Sequence, residues 1–354
     1  MSGIIPLTIL VVMLCFWLRS RRRAKRAEGI ASEIGAGLLP AERQNTDRAA
    51  PDPEAEAVLA ALSRGDWLPA AQALAAAGTD WERRSYLVGI VAARAADDDT
   101  WLRAWQAARP GDPDAAVVHA DAKVSLAWQI RGGAWAKDTS AERFEGFHRV
   151  LNEAREDFAR AEALAHPGDP TPYLLQIPLY MGLGAPHEAL HGLWAEVTKR
   201  APYHYEAHWY ALQFWSAKWR GSKDLARDFA AQAAATAPPG SLLTMFPLVS
   251  WYEHNDDEAP AEAYGWPEMT ALTDAALADV AMARPGHPRI AEVRHLLAYC
   301  LTKQGRYEAA LEQFRMVDGH VEALPWRYYG DPAEFYCHVR DVALKGAAAA
   351  RIAG

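Results

Sequence analysis

The chain has 354 residues, 51% hydrophobic and 23% charged, enough apolar material for one extended or two compact folded units. Its net charge of -8 is uneven. Arg19, Arg21, Arg22, Arg23, Lys25 and Arg26 crowd the N-terminus, so the body is the more acidic part, which argues against nucleic acid as a partner. Cys15, Cys300 and Cys337 form no C-x-x-C pair and no framework of bridges, and a reducing compartment fits best.

Ser2 to Leu18 is an almost unbroken apolar run followed directly by those basic residues. As a helix it spans roughly 25 Å, the short end of a membrane crossing, and snorkelling arginines extend it. A cleavable signal peptide carries its charge before the apolar segment; here the order is reversed. The expectation is a single-pass transmembrane helix over 2–18 in the cell membrane. The N-terminus is then outside and the remainder cytoplasmic, by the positive-inside rule. Residues 19–52 read as a basic juxtamembrane segment and flexible linker, since Ala, Glu, Gly, Asn, Asp and Pro follow no period there.

From Pro53 the apolar spacing is helical throughout. Glu54–Ala77 reads as a first helix pair, turning at Arg64-Gly65-Asp66, and Trp81–Ala108 as a second. The second ends at Arg109-Pro110-Gly111-Asp112-Pro113, a punctuation that recurs as His166-Pro167-Gly168-Asp169-Pro170 and as Arg284-Pro285-Gly286-His287-Pro288. Proline and glycine end one helix, and the Asp-Pro or His-Pro step opens the next. A third pair, Asp114–Ile130 with Phe147–Leu164, is interrupted by an insertion over 131–146, where Trp128 and Trp135 are expected to cover a helix end. Pro170–Lys199 is a fourth pair, kinked at Pro178. Tyr203–Ala234 is a fifth, and Ser241–Glu253 with Glu268–Ala283 a sixth across the acidic loop Asn255–Glu258. The seventh is Arg294–Val317, broken at Gly305, with Leu297, Ala298 and Leu301 on one helix and Tyr307, Ala310, Phe314 and Val317 on the other. A helix from Pro332 to Lys345 caps the array, and residues 346–354 read as a frayed tail.

The pattern in Arg294–Val317 resembles a tetratricopeptide (TPR) unit, a helix–turn–helix of about 34 residues that stacks on its neighbours. The expected fold is all-α: a TPR-like solenoid of about seven antiparallel helix pairs over 53–345, behind the membrane helix. A second resemblance rests on Arg131-Gly132-Gly133, the step at Pro167, and Lys218-Trp219-Arg220-Gly221-Ser222. Together these are similar to a bacterial TPR-like family defined only as a domain of unknown function. The likeness covers roughly Trp128 to Gly240 and implies a helical-repeat fold with no assigned activity.

His187-Glu188-Ala189-Leu190-His191 matches H-E-x-x-H, whose histidines at i and i+4 can ligate zinc with the glutamate as base. His204, Glu206 or His208 would supply a third ligand to a zinc-dependent hydrolase. Against this, Glu-Ala is what a TPR second helix carries there. Ala189 and Leu193 pointing inward would turn both histidines to solvent, and a repeat array lacks the enclosed cleft of a peptidase. Gly182-Leu183-Gly184 lacks the lysine of a phosphate loop, and Asp97-Asp98-Asp99 reads as a solvated cap.

Of the fourteen tryptophans, Trp67, Trp101, Trp105 and Trp194 fall at inward positions. Counting TPR register from the Gly221 and Gly305 turns puts His208, Trp215, Lys218, Trp219, His295, Tyr299 and Lys303 on a concave groove. Rings beside lysines suit an extended or acidic peptide. The sequence thus reads as a membrane-anchored scaffold or adaptor that binds a protein or peptide, with no cofactor and no catalysis. The hydrolase built on His187 and His191 is the alternative.

Overall fold

The computed structural model describes residues 7–133 and 139–353. Among these the chain is all-helical apart from one isolated bridge between Asn45 and His320. In order the helices are α1 (Leu7–Ile34), α2 (Pro53–Leu62), α3 (Leu68–Ala77), α4 (Trp81–Asp97), α5 (Thr100–Ala108), α6 (Pro113–Arg131), α7 (Ala141–Leu164), α8 (Thr171–Leu174) and α9 (Ile177–Gly182). There follow α10 (His187–Arg200), α11 (Tyr205–Trp215), α12 (Lys223–Thr236), α13 (Phe246–Asn255), α14 (Pro267–Met282), α15 (Ile290–Lys303), α16 (Tyr307–Val317) and α17 (Pro332–Ala353).

Capping explains where many of them start. Asp52, Asp80, Asp112, Ser140 and Ser222 each accept a backbone N–H of the first turn of α2, α4, α6, α7 and α12. Pro53 and Pro113 follow the cap, where a missing N–H costs nothing. The recurring punctuation works through the same chemistry. Asp112 Oδ1 takes Asp114 N at 2.9 Å, Asp169 Oδ1 takes Thr171 N at 2.8 Å, and His287 Nδ1 takes Arg289 N at 3.2 Å. A histidine thus replaces an aspartate as acceptor.

The expected single array over 53–345 is divided in two. Asp52–Ala259 with Ala275–Ile290 form a larger compact unit; Met1–Pro51, Pro260–Asp274 and Ala291–Gly354 form a smaller one. In the larger unit α2–α3, α4–α5, α6–α7, α8/α9–α10 and α11–α12 pack as consecutive pairs. Trp101 and Trp105 are fully buried, and Trp67 stacks on Trp105 at 5.6 Å. Helix α7 begins at Ala141 because Ser140 caps it, so the insertion shrinks to the stretch after Arg131. Trp135 lies outside the described residues. The kink expected at Pro178 is a break between α8 and α9, which places the proline in a first turn.

In the smaller unit the segment after α1 is not a loose linker. Leu39 N donates to Asp318 Oδ2 at 2.7 Å, and Gln44 Nε2 donates to Leu39 O and Asp318 Oδ1. Asn45 N donates to Gly319 O and Val321 N to Asn45 O, both at 2.8 Å. Nor does the C-terminus fray at 346. Helix α17 continues to Ala353 with Ala347 and Ala348 buried. A Cβ at Gly346 would sit 2.3 Å from the Tyr307 ring, so glycine is what lets α17 lie on α16 there. The apolar run over 2–18 falls largely outside the residues whose side chains are described. Among the described residues no helix is long and apolar enough to cross a membrane.

Candidate functional site

Within the larger unit, α4 packs on both α6 and α11, and a group of polar side chains is buried beside their mainly apolar core. At the start of α11, His204 is the cap: its Nδ1 accepts Ala207 N, so the proton sits on Nε2. That N–H faces Trp81 O at 3.1 Å and Ser85 Oγ at 3.2 Å on α4. Glu82 Oε1 accepts Tyr205 N at 2.7 Å. One residue on, Glu206 Oε1 accepts the Tyr210 hydroxyl at 3.2 Å and pairs with Arg289. The Arg289 guanidinium also lies 5.0 Å from the centre of the Tyr86 ring.

These groups leave acceptors over. Glu206 Oε2 and Glu82 Oε2 are buried and make no hydrogen bond among the described residues. From α6, Asp121 joins them with 7% of its surface exposed and no hydrogen bond to any described residue. Burial, and then the neighbouring Glu206 carboxylate, push the Asp121 carboxyl up to about 7. Burial also raises Glu82, against the opposing pull of His204. Tyr210 is driven well above the usual phenol range by burial, then by Glu206 and Asp121. Arg289 pairs with Glu206 and also draws Glu82 down. A contrasting pair lies in the same unit: Arg84 is sandwiched between Asp114 at 2.6 Å and Asp169 at 2.8 Å.

Ser85, His204 and Glu82 have the order of a nucleophile, base and acid, but not the geometry. A general base needs an unprotonated nitrogen toward the serine, and here Nε2 carries the hydrogen that Trp81 O accepts. Ser85 is fully buried and its hydroxyl donates to Glu82 O at 3.3 Å. The cluster is equipped to accept hydrogen bonds and positive charge, not to attack a substrate.

The expected groove residues lie elsewhere than in a groove, and they divide between the two units. His208 is buried; its Nδ1 donates to His204 O at 2.8 Å and its ring meets Trp194 edge-on at 4.9 Å. Burial lowers its imidazole to about 4. Trp215 is buried under His187 and His191 at 4.8 and 5.3 Å. Trp219 is half-buried, edge-on to Trp128 at 5.2 Å with Arg131 over it, and exposed Lys218 pairs with Glu253 at 2.8 Å. In the smaller unit His295 and Tyr299 are core groups, and exposed Lys303 sits over the Tyr299 ring. The register count fails because rings from adjacent helices fill the face that it treats as open.

The H-E-x-x-H pair lies on the outer side of α10, with His191 exposed and His187 half-buried. Leu190, Leu193 and Val197 are the buried residues of α10, while Ala189 is only half-buried. His187 rests on Trp215 and its Nε2–H donates to Arg220 O at 2.7 Å. His204 and Glu206 are engaged in the cluster described above, and His208 packs on Trp194. Among the described residues no three His, Cys, Asp or Glu side chains are placed to hold a metal ion.

The resemblance motif has a structural explanation. A Cβ on Gly221 would fall 1.8 Å from Trp215 O, so only glycine lets the turn close, and Ser222 Oγ then caps α12. Sequence reasoning missed Asp121, Glu82 and Arg289. The readable signal was Asp121 itself, a carboxylate one helical turn after Val117 on the face that goes into the core. Comparison with family models, with curated proteins and with solved structures found no match.

Proposed function

We propose that this protein is a membrane-tethered, helical-repeat binding protein of TPR-like type that holds a protein or peptide partner and catalyses no reaction. The observation that carries this reading is the cluster on α4, α6 and α11. It gathers buried polar groups from three helix pairs and leaves Glu82 Oε2 and Glu206 Oε2 without a donor among the described residues, while its one serine–histidine contact is arranged for capping. Buried acceptors without donors are costly, and a ligand that supplies donors removes the cost. The apolar run over 2–18 and the exposed basic residues after it support the tether, with the repeat on the cytoplasmic side.

A photo-reactive amino acid at Ser125, half-buried one turn beyond Asp121 on α6, tests the reading in the full-length chain in its native membranes. A specific cross-linked protein is expected from Ser125 and not from exposed Glu156 on α7. Equal cross-linking at both positions, or none at Ser125, would sink the binding face. A reporter active only in the cytoplasm, fused to the C-terminus, is expected to work; activity only outside reverses the orientation.

A further inference from the structure

We infer that the basic collar of α1 binds the headgroups of anionic phospholipids and so fixes the smaller unit against a negatively charged membrane face. The inference deepens the tether reading above by naming the lipid chemistry it uses. Arg19, Arg21, Arg22, Arg23, Lys25 and Arg26 are all exposed on one continuous helix, Leu7–Ile34. Arg19, Arg22, Arg23 and Arg26 stand at i, i+3, i+4 and i+7 on one side, and Arg21 and Lys25 lie well round from them. At about 100° per residue the cations cover about 200° of the helix surface. Between Leu7 and Ala27 the helix carries no carboxylate, and none of the six cations forms an ion pair among the described residues.

The choice of lipid over another polyanion follows from what lies on either side of the collar. On its N-terminal side Trp17 is 49% exposed with the Arg21 guanidinium 4.3 Å from its ring centre, at the end of the apolar run over 2–18. An indole with a cation beside it suits a bilayer interface, the ring at headgroup level and the charge among phosphates. On its C-terminal side Ala27, Ile30 and Ala31 are half-buried and Ile34 is buried, where α1 packs on α17. A Cβ at Gly35 would meet Leu344 at 3.1 Å, so this end of the helix is held closely. The collar thus stands between the apolar run and the folded unit, and its eight residues rise roughly 10 Å, comparable to a headgroup layer.

The spread of charge points the same way. Like charges at i,i+3 and i,i+4 repel on a bare helix, and a dense array of phosphates relieves that repulsion. A peptide groove or a nucleic-acid backbone meets one face of a helix and leaves the rest unpaired. A headgroup layer surrounds a helix that passes through it, so cations on both sides find partners at once. The strip without a cation, at Ser20 and Ala24, runs on into the Ala27 and Ala31 side that packs on α17.

The test uses the full-length protein reconstituted in phosphatidylcholine vesicles with about one part in five phosphatidylglycerol. After flotation and a wash at about 1 M salt the protein is expected to stay with the vesicles. Electron spin resonance then compares the two lipids, each carrying a spin label on its acyl chain. Phosphatidylglycerol is expected beside the protein at least about threefold more than phosphatidylcholine at about 0.1 M salt, and about equally at about 1 M. Replacing Arg19, Arg22, Arg23 and Arg26 by glutamine removes one side of the collar, and Arg21→Gln with Lys25→Gln removes the other. Each set is expected to lower the preference, and both together to abolish it. Both leaflets carry the same lipids, so orientation does not enter, and a melting curve shows that the variants are folded. The proposal is overturned if wild type shows no preference, if the preference survives removal of all six cations, or if only one side matters. It is also overturned if a duplex of about 20 base pairs binds the collar at about 0.15 M salt and removes the preference. Firm retention on vesicles without lipid preference would refute the collar and leave the tether standing. A preference in protein that the salt wash releases would refute the membrane-spanning tether and leave the collar.

Discussion

Two buried polar clusters in this chain are built from similar groups and end differently. In the smaller unit His295 is fully buried with both ring nitrogens engaged: Trp326 Nε1 donates to its Nδ1 at 2.9 Å, and its Nε2 donates to Ala49 O at 3.1 Å. Tyr336, Trp326 and Tyr299 surround this ring system with their own edges and faces. In the larger unit, Asp121 is buried with 7% of its surface exposed and takes no hydrogen bond from a described residue. The His295 cluster is finished and holds a core together. The cluster beside Asp121 leaves Glu82 Oε2 and Glu206 Oε2 buried without a donor among the described residues, an arrangement that costs stability.

Breaking the finished cluster has the largest expected effect. Trp326→Ala removes a fully buried indole and orphans His295 Nδ1, so it is expected to cost about 3–5 kcal/mol of stability, read from denaturant midpoints. Asp121→Asn is the next largest and has the opposite sign. The folded carboxyl is raised from 3.8 to about 7, so its contribution is fully present below the unfolded value and is lost as pH rises through the folded one. At about pH 8 the amide is therefore expected to be more stable than wild type by roughly 2–4 kcal/mol, and at about pH 4 the difference vanishes. A destabilised Asp121→Asn at the higher pH would mean that the carboxylate has a donor in the free protein.

The histidines tilt the other way in the same pH range. Burial lowers His295, His208 and His287 to about 4, so each contributes stability present above the unfolded value of 6.5 and lost as pH falls toward 4. NMR titration is expected to find all three rings neutral down to about pH 5. The three histidines outweigh the one carboxyl, so wild-type stability rises from about pH 4 to about pH 6.5, with Asp121 offsetting part of the gain. In Asp121→Asn it climbs steeply from about pH 4 to about pH 6.5.

Helix positions were legible wherever local chemistry sets them: an Asp-Pro step, a serine cap and a glycine turn act within four or five residues of themselves. The division into two units was not, because it depends on contacts such as Leu39 with Asp318 and Gln44 with Gly319, far apart in the chain. For the same reason the segment before Pro53 read as linker. Residue type misled at the groove. A repeat register assigns Trp215 and Tyr299 to an open face, yet whether a ring faces solvent or a neighbour is decided by the helix beside it. His187 and His191 cover Trp215, and Trp326 covers Tyr299. Asp121 was visible as an odd carboxylate in an apolar run, but its missing donor is a tertiary fact.

The smallest effects sharpen the comparison with two exposed lysines. Lys218 Nζ pairs at 2.8 Å with Glu253, whose side chain is only 4% exposed, whereas Lys303 Nζ stands 5.1 Å from the centre of the Tyr299 ring. Replacing each by methionine keeps the aliphatic stem and removes the charge. Lys218→Met leaves a buried carboxylate relying on weaker donors such as Gln213 at 3.4 Å, so a loss of about 1–2 kcal/mol is expected. Lys303→Met strips a cation from a ring that needs none, since Tyr299 is already packed by Trp326 and Tyr264, and is expected to cost under about 1 kcal/mol. Salt separates the two further. Screening shrinks the exposed cation–ring term, while the Glu253 penalty, set by burial, persists at about 1 M salt. Equal losses that fade together with salt would show that Glu253 is well solvated, and that a missing donor costs this fold less than the Asp121 cluster requires.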